Sequence, residues 1–487
     1  MSFPEALGHM GMTSTPTDRN RWAALYVLCA GALMIVLDAT IVNVALPTIQ
    51  DDLGFSSSSL AWVVNAYLIA FGGLLLLAGR MGDLIGQRRI FLIGLTIFTA
   101  ASALCAVAQT QEMLIGARFI QGVGGALTSA VILGMIVTMF PKPSEQAKAL
   151  GVYGFVASAG GSIGLLSGGV LTDLISWHWI FLINLPVGVI TGVLAMRLIE
   201  PKPGIGVGAG ADIPGAILLT AGVMLGVYTI LGITEHGWTS DRTLGLAAIS
   251  AVLLAAFLVR QARIENPLMP LRLFRSRNVT GSNLVMAMIV VGMFGLFFLG
   301  ALYLQRILGY EPLEVGLAFL PSTVVMGIVS LRASQPLIMR HGPQKVLVPA
   351  LLTTIAGLLL FARTPVDGNF VVDILPATIL IGLGAGLSTP AVIALAMSGA
   401  TPEDSGLASG LVNTTVQVGG AIGLAVLATL ATEHTGGATD PAAINSGYHL
   451  AYVIGAGALA VAVLVSLTVL RAPREASAPN AMPVHAG

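Results

Sequence analysis

The sequence predicts an all-α membrane protein of fourteen spanning helices, built as two six-helix bundles plus an inserted two-helix hairpin. Three observations predict it. Of 487 residues, 55% are hydrophobic and only 9% charged, against about 25% charged in soluble domains. Apolar runs near the roughly 20 residues needed to cross a bilayer recur along nearly the whole chain. The second half also repeats the first. Gly151…Gly160-Gly-Ser-Ile-Gly164 matches Gly410…Gly419-Gly-Ala-Ile-Gly423, Gly122-Val-Gly-Gly-Ala-Leu127 resembles Gly382-Leu-Gly-Ala-Gly-Leu387, and Gly86-Gln-Arg-Arg89 echoes Gly342-Pro-Gln-Lys345. A repeat of the same polarity implies two similar bundles related by an axis along the membrane normal, with ligand sites near the midplane between them.

In chain order, residues 1–22 hold Pro4, Pro16, Asp18 and Arg19 without an apolar core, so they read as a polar tail and not a cleavable signal. The first apolar run then serves as an uncleaved anchor. The spans are placed at about 23–48, 59–80, 90–109, 112–138, 149–174 and 177–199, which form the first bundle (23–199). A linker region, 200–276, contains the pair at about 213–234 and 243–263. The second bundle (277–470) follows, with spans at about 280–306, 313–338, 346–363, 370–397, 405–432 and 448–470. The repeat maps spans one to six onto nine to fourteen, which leaves seven and eight as the insertion. A short polar tail, 471–487, ends the chain.

The distribution of positive charge orients this layout. With the N-terminus inside, eighteen of the 23 basic residues fall on the cytoplasmic side, while Arg242, Arg306 and Arg363 fall outside and Arg118 and Arg332 lie within spans. Cytoplasmic loops collect Lys and Arg, so both termini are expected in the cytoplasm and the number of spans is even. The formal net charge of +0 gives no sign of a nucleic-acid partner. Cys29 and Cys105 fall within spans as small core residues, with no metal or disulfide spacing, and no cofactor motif is found. The scarcity of Lys, four of the 23 basic residues, together with abundant Ala and Gly, points to a GC-rich bacterial genome and hence to a bacterial plasma membrane.

Asp38 is the most informative residue. It sits in Leu37-Asp-Ala-Thr-Ile-Val-Asn-Val-Ala-Leu-Pro47, with no other charge between Arg21 and Asp51. An ionised side chain at bilayer depth costs at least ~2.5–3.5 kcal/mol and marks an ion or substrate pathway. Arg118 lies at a similar depth in the fourth span: at ~1.5 Å per residue the two differ by only ~6 Å. Between spans two and three, Gly79-Arg-Met-Gly-Asp-Leu-Ile-Gly-Gln-Arg-Arg89 places Gly86 at a tight turn, with Asp83 able to cap a helix and Arg80, Arg88 and Arg89 able to pair with it or with a helix C-terminus.

This loop resembles the signature loop of the major facilitator superfamily. Arg118-Phe-Ile-Gln-Gly-Val-Gly-Gly125 resembles the family's fourth-span motif, and Leu37-Asp38…Leu46-Pro47 resembles the first-span motif of its fourteen-span drug/proton antiporters. Trp177-His-Trp-Ile-Phe-Leu-Ile-Asn-Leu-Pro-Val-Gly188, Pro267-Leu-Met-Pro-Leu-Arg-Leu-Phe-Arg275 and Ser409-Gly-Leu-Val-Asn-Thr414 extend the match over roughly residues 20–470. Related antiporters usually carry prolines in span five, where this chain has Gly161 and Leu165. His178 and Val416 stand where an Arg is usual.

The resemblance implies the major facilitator fold, no enzymatic activity, and proton-driven export of amphipathic or hydrophobic small organic compounds by a monomer that alternates access. Asp38 is then expected to bind and release the coupling proton, biased by Arg118; a static buried ion pair is the alternative. The cytoplasmic gate would comprise Gly79, Arg80, Asp83, Gly86, Arg88 and Arg89. Asn43, Asn65, Tyr67, Gln121, Tyr303, Gln305, Asn413 and Gln417 are candidate substrate contacts, with interhelical hydrogen bonding as the competing role. Gly160, Gly164 and Gly168 form a small-residue stripe on one helix face, which fits close helix packing. Arg332 either snorkels to the cytoplasmic surface or contacts an anion, and Asp373 reads as interfacial. A lipid or cell-envelope exporter of the same fold, or a non-transporting receptor, remain the rival functions.

Overall fold

The computed structural model describes residues 18–56, 59–140, 142–204, 206, 212–265, 267–399 and 405–471. These form α1 (Asp18–Leu53), α2 (Ala61–Ile85), α3 (Gln87–Ala106), α4 (Gln111–Met139), α5 (Pro143–Leu174), α6 (Trp179–Leu198), α7 (Ile213–Leu231), α8 (Asp241–Arg263), α9 (Arg277–Ile307), α10 (Pro312–His341), α11 (Pro343–Phe361), α12 (Phe370–Ser398), α13 (Ser405–Thr435) and α14 (Pro441–Thr468). No strand occurs among the described residues. Thirteen of these helices are long and apolar enough to cross a bilayer, and α5 adds the apolar stretch Ile163–Leu174. Both described chain ends lie at one end of the molecule, called here the basic end; the other is the far end.

Helix starts are fixed by local chemistry. Thr110 accepts a hydrogen bond from the Met113 N–H at 3.2 Å to open α4, and Asp440 accepts from Ala443 N–H at 3.2 Å to open α14, with Pro441 following. Glu311 and Glu314 form a reciprocal capping box ahead of α10. Such caps satisfy N–H groups that have no partner within the helix. Gly86 separates α2 from α3 at φ +111°, and a Cβ there would lie 2.7 Å from the Lys202 carbonyl oxygen. Only glycine serves both conditions.

Several helices overrun their expected spans. The first was placed at about 23–48 but is helical from Asp18 to Leu53, so residues 18–22 belong to a helix and not to a tail. Hydropathy reads the part that lies in lipid, whereas the hydrogen-bonded backbone continues beyond it until a turn is imposed. The sixth begins later, at Trp179, because Trp177 turns to donate its indole N–H to Asp52 at 2.9 Å. The rest of the two terminal tails, 1–17 and 472–487, lies outside the described residues.

Glycine sets how closely the helices pack. A Cβ on Gly94 would lie 2.6 Å from the Thr128 nitrogen, and one on Gly124 would collide with the backbone of Phe98, so α3 and α4 touch main chain to main chain. Gly160, Gly164 and Gly168 of α5 all face α1: a Cβ on Gly160 would meet Val36 at 3.0 Å and one on Gly168 the Ile41 carbonyl at 2.7 Å. Without water to drive apolar surfaces together, this close van der Waals approach is a main cohesive term in lipid.

The two bundles meet along two seams. In one, α5 packs on α10, with Gly169 against the Leu313 backbone and Gly316 against the Leu165 carbonyl. In the other, α2 packs on α13, with Gly72 against Gln417. The inserted α7 lies on this second seam and touches both bundles. Gly73 of α2 sits against Thr220, and Thr429 of α13 donates to the Ile230 carbonyl at 3.1 Å. Most of α8 faces away from the protein.

Candidate functional site

Asp38 and Arg118 meet in the interior of the first bundle, both 0% exposed. α1 brings in Asp38 and α4 brings in Arg118 together with Gln121, one turn further on. Arg118 Nη1 donates to Asp38 Oδ2 at 2.5 Å and to Gln121 Oε1 at 2.6 Å, while its Nε donates to the Val63 carbonyl at 3.0 Å. Gln121 Nε2 donates to Asp38 Oδ1 at 2.7 Å and to Ser102 Oγ at 2.8 Å. Asn184 Nδ2 of α6 donates to the same Asp38 oxygen at 2.9 Å. The guanidinium carbon lies 4.4 Å from the Tyr67 ring centroid, in cation–π range.

Both Asp38 oxygens therefore accept hydrogen bonds from three donors, which is the pattern of an ionised carboxylate. The three donors take three of the roughly four lone-pair sites of the carboxylate, so a proton arriving there competes with Arg118, Gln121 and Asn184 for its oxygens. The pair thus behaves as a closed unit in this conformation, with a single loose end: Arg118 Nη2 is buried and has no partner.

Only two of the candidate substrate residues join this cluster. Gln121 is one of its hydrogen-bonding members and Tyr67 is its aromatic floor, with a buried hydroxyl that has no partner. Asn43 turns back on its own helix, donating to the Ala39 and Thr40 carbonyls. Asn65 is 0% exposed, with neither amide atom partnered. On helical periodicity it shares a face of α2 with Gly72, which packs against Gln417. Asn413 is exposed on α13. Tyr303 and Gln305 stand at the far end, where Tyr303 donates to the Pro365 carbonyl and Gln305 to the Val44 carbonyl, at 2.7 and 2.8 Å. Beside them Arg306 donates to Pro47 O and Gln50 Oε1 at 3.3 and 3.2 Å and pairs with Asp51, so α9 clasps the far end of α1.

At the basic end residues 79–89, expected as a loop, are the last turns of α2, Gly86 and the start of α3, because Gly86 alone makes the turn; this segment borders a cavity of about 800 Å³, lined by Arg21, Arg80, Asp83 and Arg88 among others. Arg88 donates to the Met196 carbonyl at 2.5 Å, tying α3 to α6, whereas Asp83 and Arg89 are exposed and Gly79 faces open space. Of the linker, Gly204 and Gly206 lie against this segment, with Gly206 N–H donating to Leu84 O at 3.1 Å. Burial of the nearby Asp212 carboxyl opposes its ionisation. Hydrogen bonds from Arg260, Gln261 and the Gly215 N–H outweigh that and hold it below the usual carboxylate range. Arg332 is exposed on a π-helical stretch of α10, and Asp373 accepts from the Asn369 N–H at the start of α12.

Sequence reasoning missed Ser102 and Asn184. Each is a buried polar group in an otherwise apolar helix, which was the only available signal. Neither residue shows from sequence which carboxylate it reaches.

The Major Facilitator Superfamily family model matches residues 28–424 and 337–484. The chain is 40% identical to a puromycin resistance protein of Streptomyces alboniger over 76% of this chain and 73% of that one. It is 38% identical to the cephamycin export protein CmcT of Amycolatopsis lactamdurans, over 78% of each. A tetracenomycin C resistance and export protein of Streptomyces glaucescens is 32% identical over 77% of this chain and 70% of its own. Among solved structures, a bacterial homolog of the human lysosomal transporter Spinster, inward-facing and unoccupied, superposes with a TM-score of 0.66 at 16% identity, covering 93% of this chain and 98% of that one.

Proposed function

This chain belongs to the major facilitator superfamily of membrane transporters, and from that premise we propose that it exports amphipathic or hydrophobic small organic compounds in exchange for protons. It is a multi-pass membrane protein and not an enzyme. The observation that carries the proton reading is the sealed Asp38–Arg118–Gln121–Asn184 cluster, a carboxylate 0% exposed whose ionised form is held by three donors. A cation and hydrogen-bond donors favour the charged form, while desolvation favours the neutral one. Movement of α4 or α6 away from α1 removes donors and loads the proton; their return expels it.

The export reading is supported by the relatives, three of which are named for antibiotic resistance or export. In this reading the basic end lies in the cytoplasm of a bacterial plasma membrane, which the eighteen basic residues assigned inside by sequence support. The far end, where α9 is tied to α1, then faces outward. Asn65, Tyr67 and Gln417 are the substrate contacts of this reading, because they hold buried polar atoms without partners. The 79–89 segment is its cytoplasmic gate, and the protein acts as a monomer.

The test is transport of ethidium or puromycin in liposomes under an imposed pH gradient, comparing wild type with Asp38→Asn. We expect gradient-driven accumulation to be lost in Asp38→Asn while gradient-free exchange of labelled substrate persists, since exchange needs the folded site but no net proton movement. Full gradient-driven transport by Asp38→Asn would refute the assignment.

A further inference from the structure

The α7–α8 turn and the first bundle enclose a cleft of about 370 Å³ at the far end, outside the Asp38 cluster and both seams. Its walls are apolar: Trp62 of α2, Ile115 of α4, Met224 of α7 and Leu246 of α8. Its rim carries two opposite charges, Glu235 and Arg242, both exposed. Arg242 makes no ion pair among the described residues. Instead it donates to the Tyr228 hydroxyl at 2.6 Å and contacts His236 Nε2. His236 Nδ1 lies 3.1 Å from the Gly232 carbonyl. That carbonyl can only accept, so Nδ1 carries the hydrogen and Nε2 accepts from Arg242.

The level of the cleft in the bilayer follows from its surroundings. Below the turn, Ile217, Leu244, Ile249 and Val252 are large apolar side chains exposed on α7 and α8, which places them in lipid. At the turn itself Trp238 is exposed and its indole N–H donates to Glu433 at 2.8 Å, in the manner of an interfacial aromatic. The cleft therefore opens where acyl chains end and headgroups begin.

We infer that this cleft is a binding site for a phospholipid with a zwitterionic, primary-ammonium headgroup. Its phosphate would engage Arg242, its ammonium Glu235, and the upper part of an acyl chain the wall of Trp62, Ile115, Met224 and Leu246. A guanidinium fork matches phosphate oxygens. A carboxylate on the same rim disfavours a purely anionic headgroup and accepts N–H bonds that a trimethylated ammonium cannot donate.

Trp62 reports occupancy. The protein is reconstituted in vesicles of phosphatidylcholine containing a fixed fraction of bromine-labelled phosphatidylethanolamine, phosphatidylglycerol or phosphatidylcholine. The quenching due to Trp62 is taken as the difference from Trp62→Phe. Brominated phosphatidylethanolamine is expected to occupy the cleft more than either other lipid by roughly threefold, the scale of one exposed charge pair. Glu235→Gln should reduce it to the phosphatidylcholine level, and Arg242→Gln should weaken all three. Equal quenching by the three lipids, a preference for phosphatidylglycerol, or a preference unchanged in Glu235→Gln would overturn the assignment. Should Arg242→Gln not fold, Arg242→Lys retains the charge without the fork and is expected to bind more weakly than wild type; unchanged binding there counts against the site. None of these readouts depends on transport or on Asp38.

Discussion

Arg118 does more than neutralise Asp38. Its three hydrogen bonds reach a carboxylate, a carboxamide and a main-chain carbonyl on three different helices. Lysine carries a point charge and lacks the planar fork. Arg118→Lys should therefore keep the ion pair but lose the bond to Val63 or to Gln121. Replacing Arg118 by Ala would leave Asp38 buried and uncompensated, a change that typically costs ~3–5 kcal/mol. We expect the melting temperature in detergent to fall in the order wild type, Arg118→Lys, Arg118→Ala. An Arg118→Ala protein as stable as wild type would mean that Asp38 is neutral or solvated in the resting protein. Asp38 and Arg118 were legible in the sequence because a charge in an apolar run is conspicuous at any resolution of reading. Ser102 and Asn184 were not, since neutral polar residues are common in spans and only their position around the carboxylate sets them apart.

Within single elements, glycine positions divide into those that touch backbone and those that face nothing. A side chain at Gly124 collides with the main chain of α3, whereas Gly116, on the same helix, has open space around it. Gly124→Val should destabilise by at least the ~1–3 kcal/mol of an overpacked core. Gly116→Ala should be neutral, or stabilising by up to ~1 kcal/mol from helix propensity. Thermal unfolding of the two variants side by side separates packing from propensity, and equal effects would contradict the α3–α4 contact. The inserted hairpin offers a pH-dependent case. Asp212 caps α7 and binds Arg260 and Gln261 of α8, which holds its carboxyl below the usual range. A depressed carboxyl contributes stability above its unfolded pKa of ~3.9, and that contribution fades as pH falls through the lower folded value. Asp212→Asn should thus lose stability at neutral pH, by ~1 kcal/mol on the scale of a helix cap. The difference from wild type should shrink in acid below pH ~4. A constant difference across pH would assign the loss to packing.

At the scale of the molecule, α9 is tied to α1 at the far end. Gln305 and Arg306 bind carbonyls and side chains between Val44 and Asp51, a segment containing Pro47, whose missing N–H and ring loosen the local helix. Removing Arg306 should release this end. With the two buried cysteines, Cys29 and Cys105, replaced by Ala, a cysteine placed at Val44 should react faster with a membrane-impermeant thiol reagent when Arg306→Ala is added. An unchanged labelling rate would show that this tie does not restrict access to position 44. α7 adds a second constraint, since it bridges α2 and α13 across the other seam.

The sequence by itself determined the class of the protein, its fourteen helices, the two-fold repeat with α7 and α8 left over, and the two ions at matching depth. These are properties of composition, period and spacing, which local physics translates directly into helices that must lie in lipid. Which polar residues become partners was decided only by the tertiary structure. Gln121 could have lined a cavity and instead closes on Asp38. Gln305 could have met a substrate and instead grips the Val44 carbonyl. Asn184 joins from 146 residues away. A hydrogen bond needs two groups within about 3 Å, and how the helices rotate and cross to bring them there depends on packing among all of them at once.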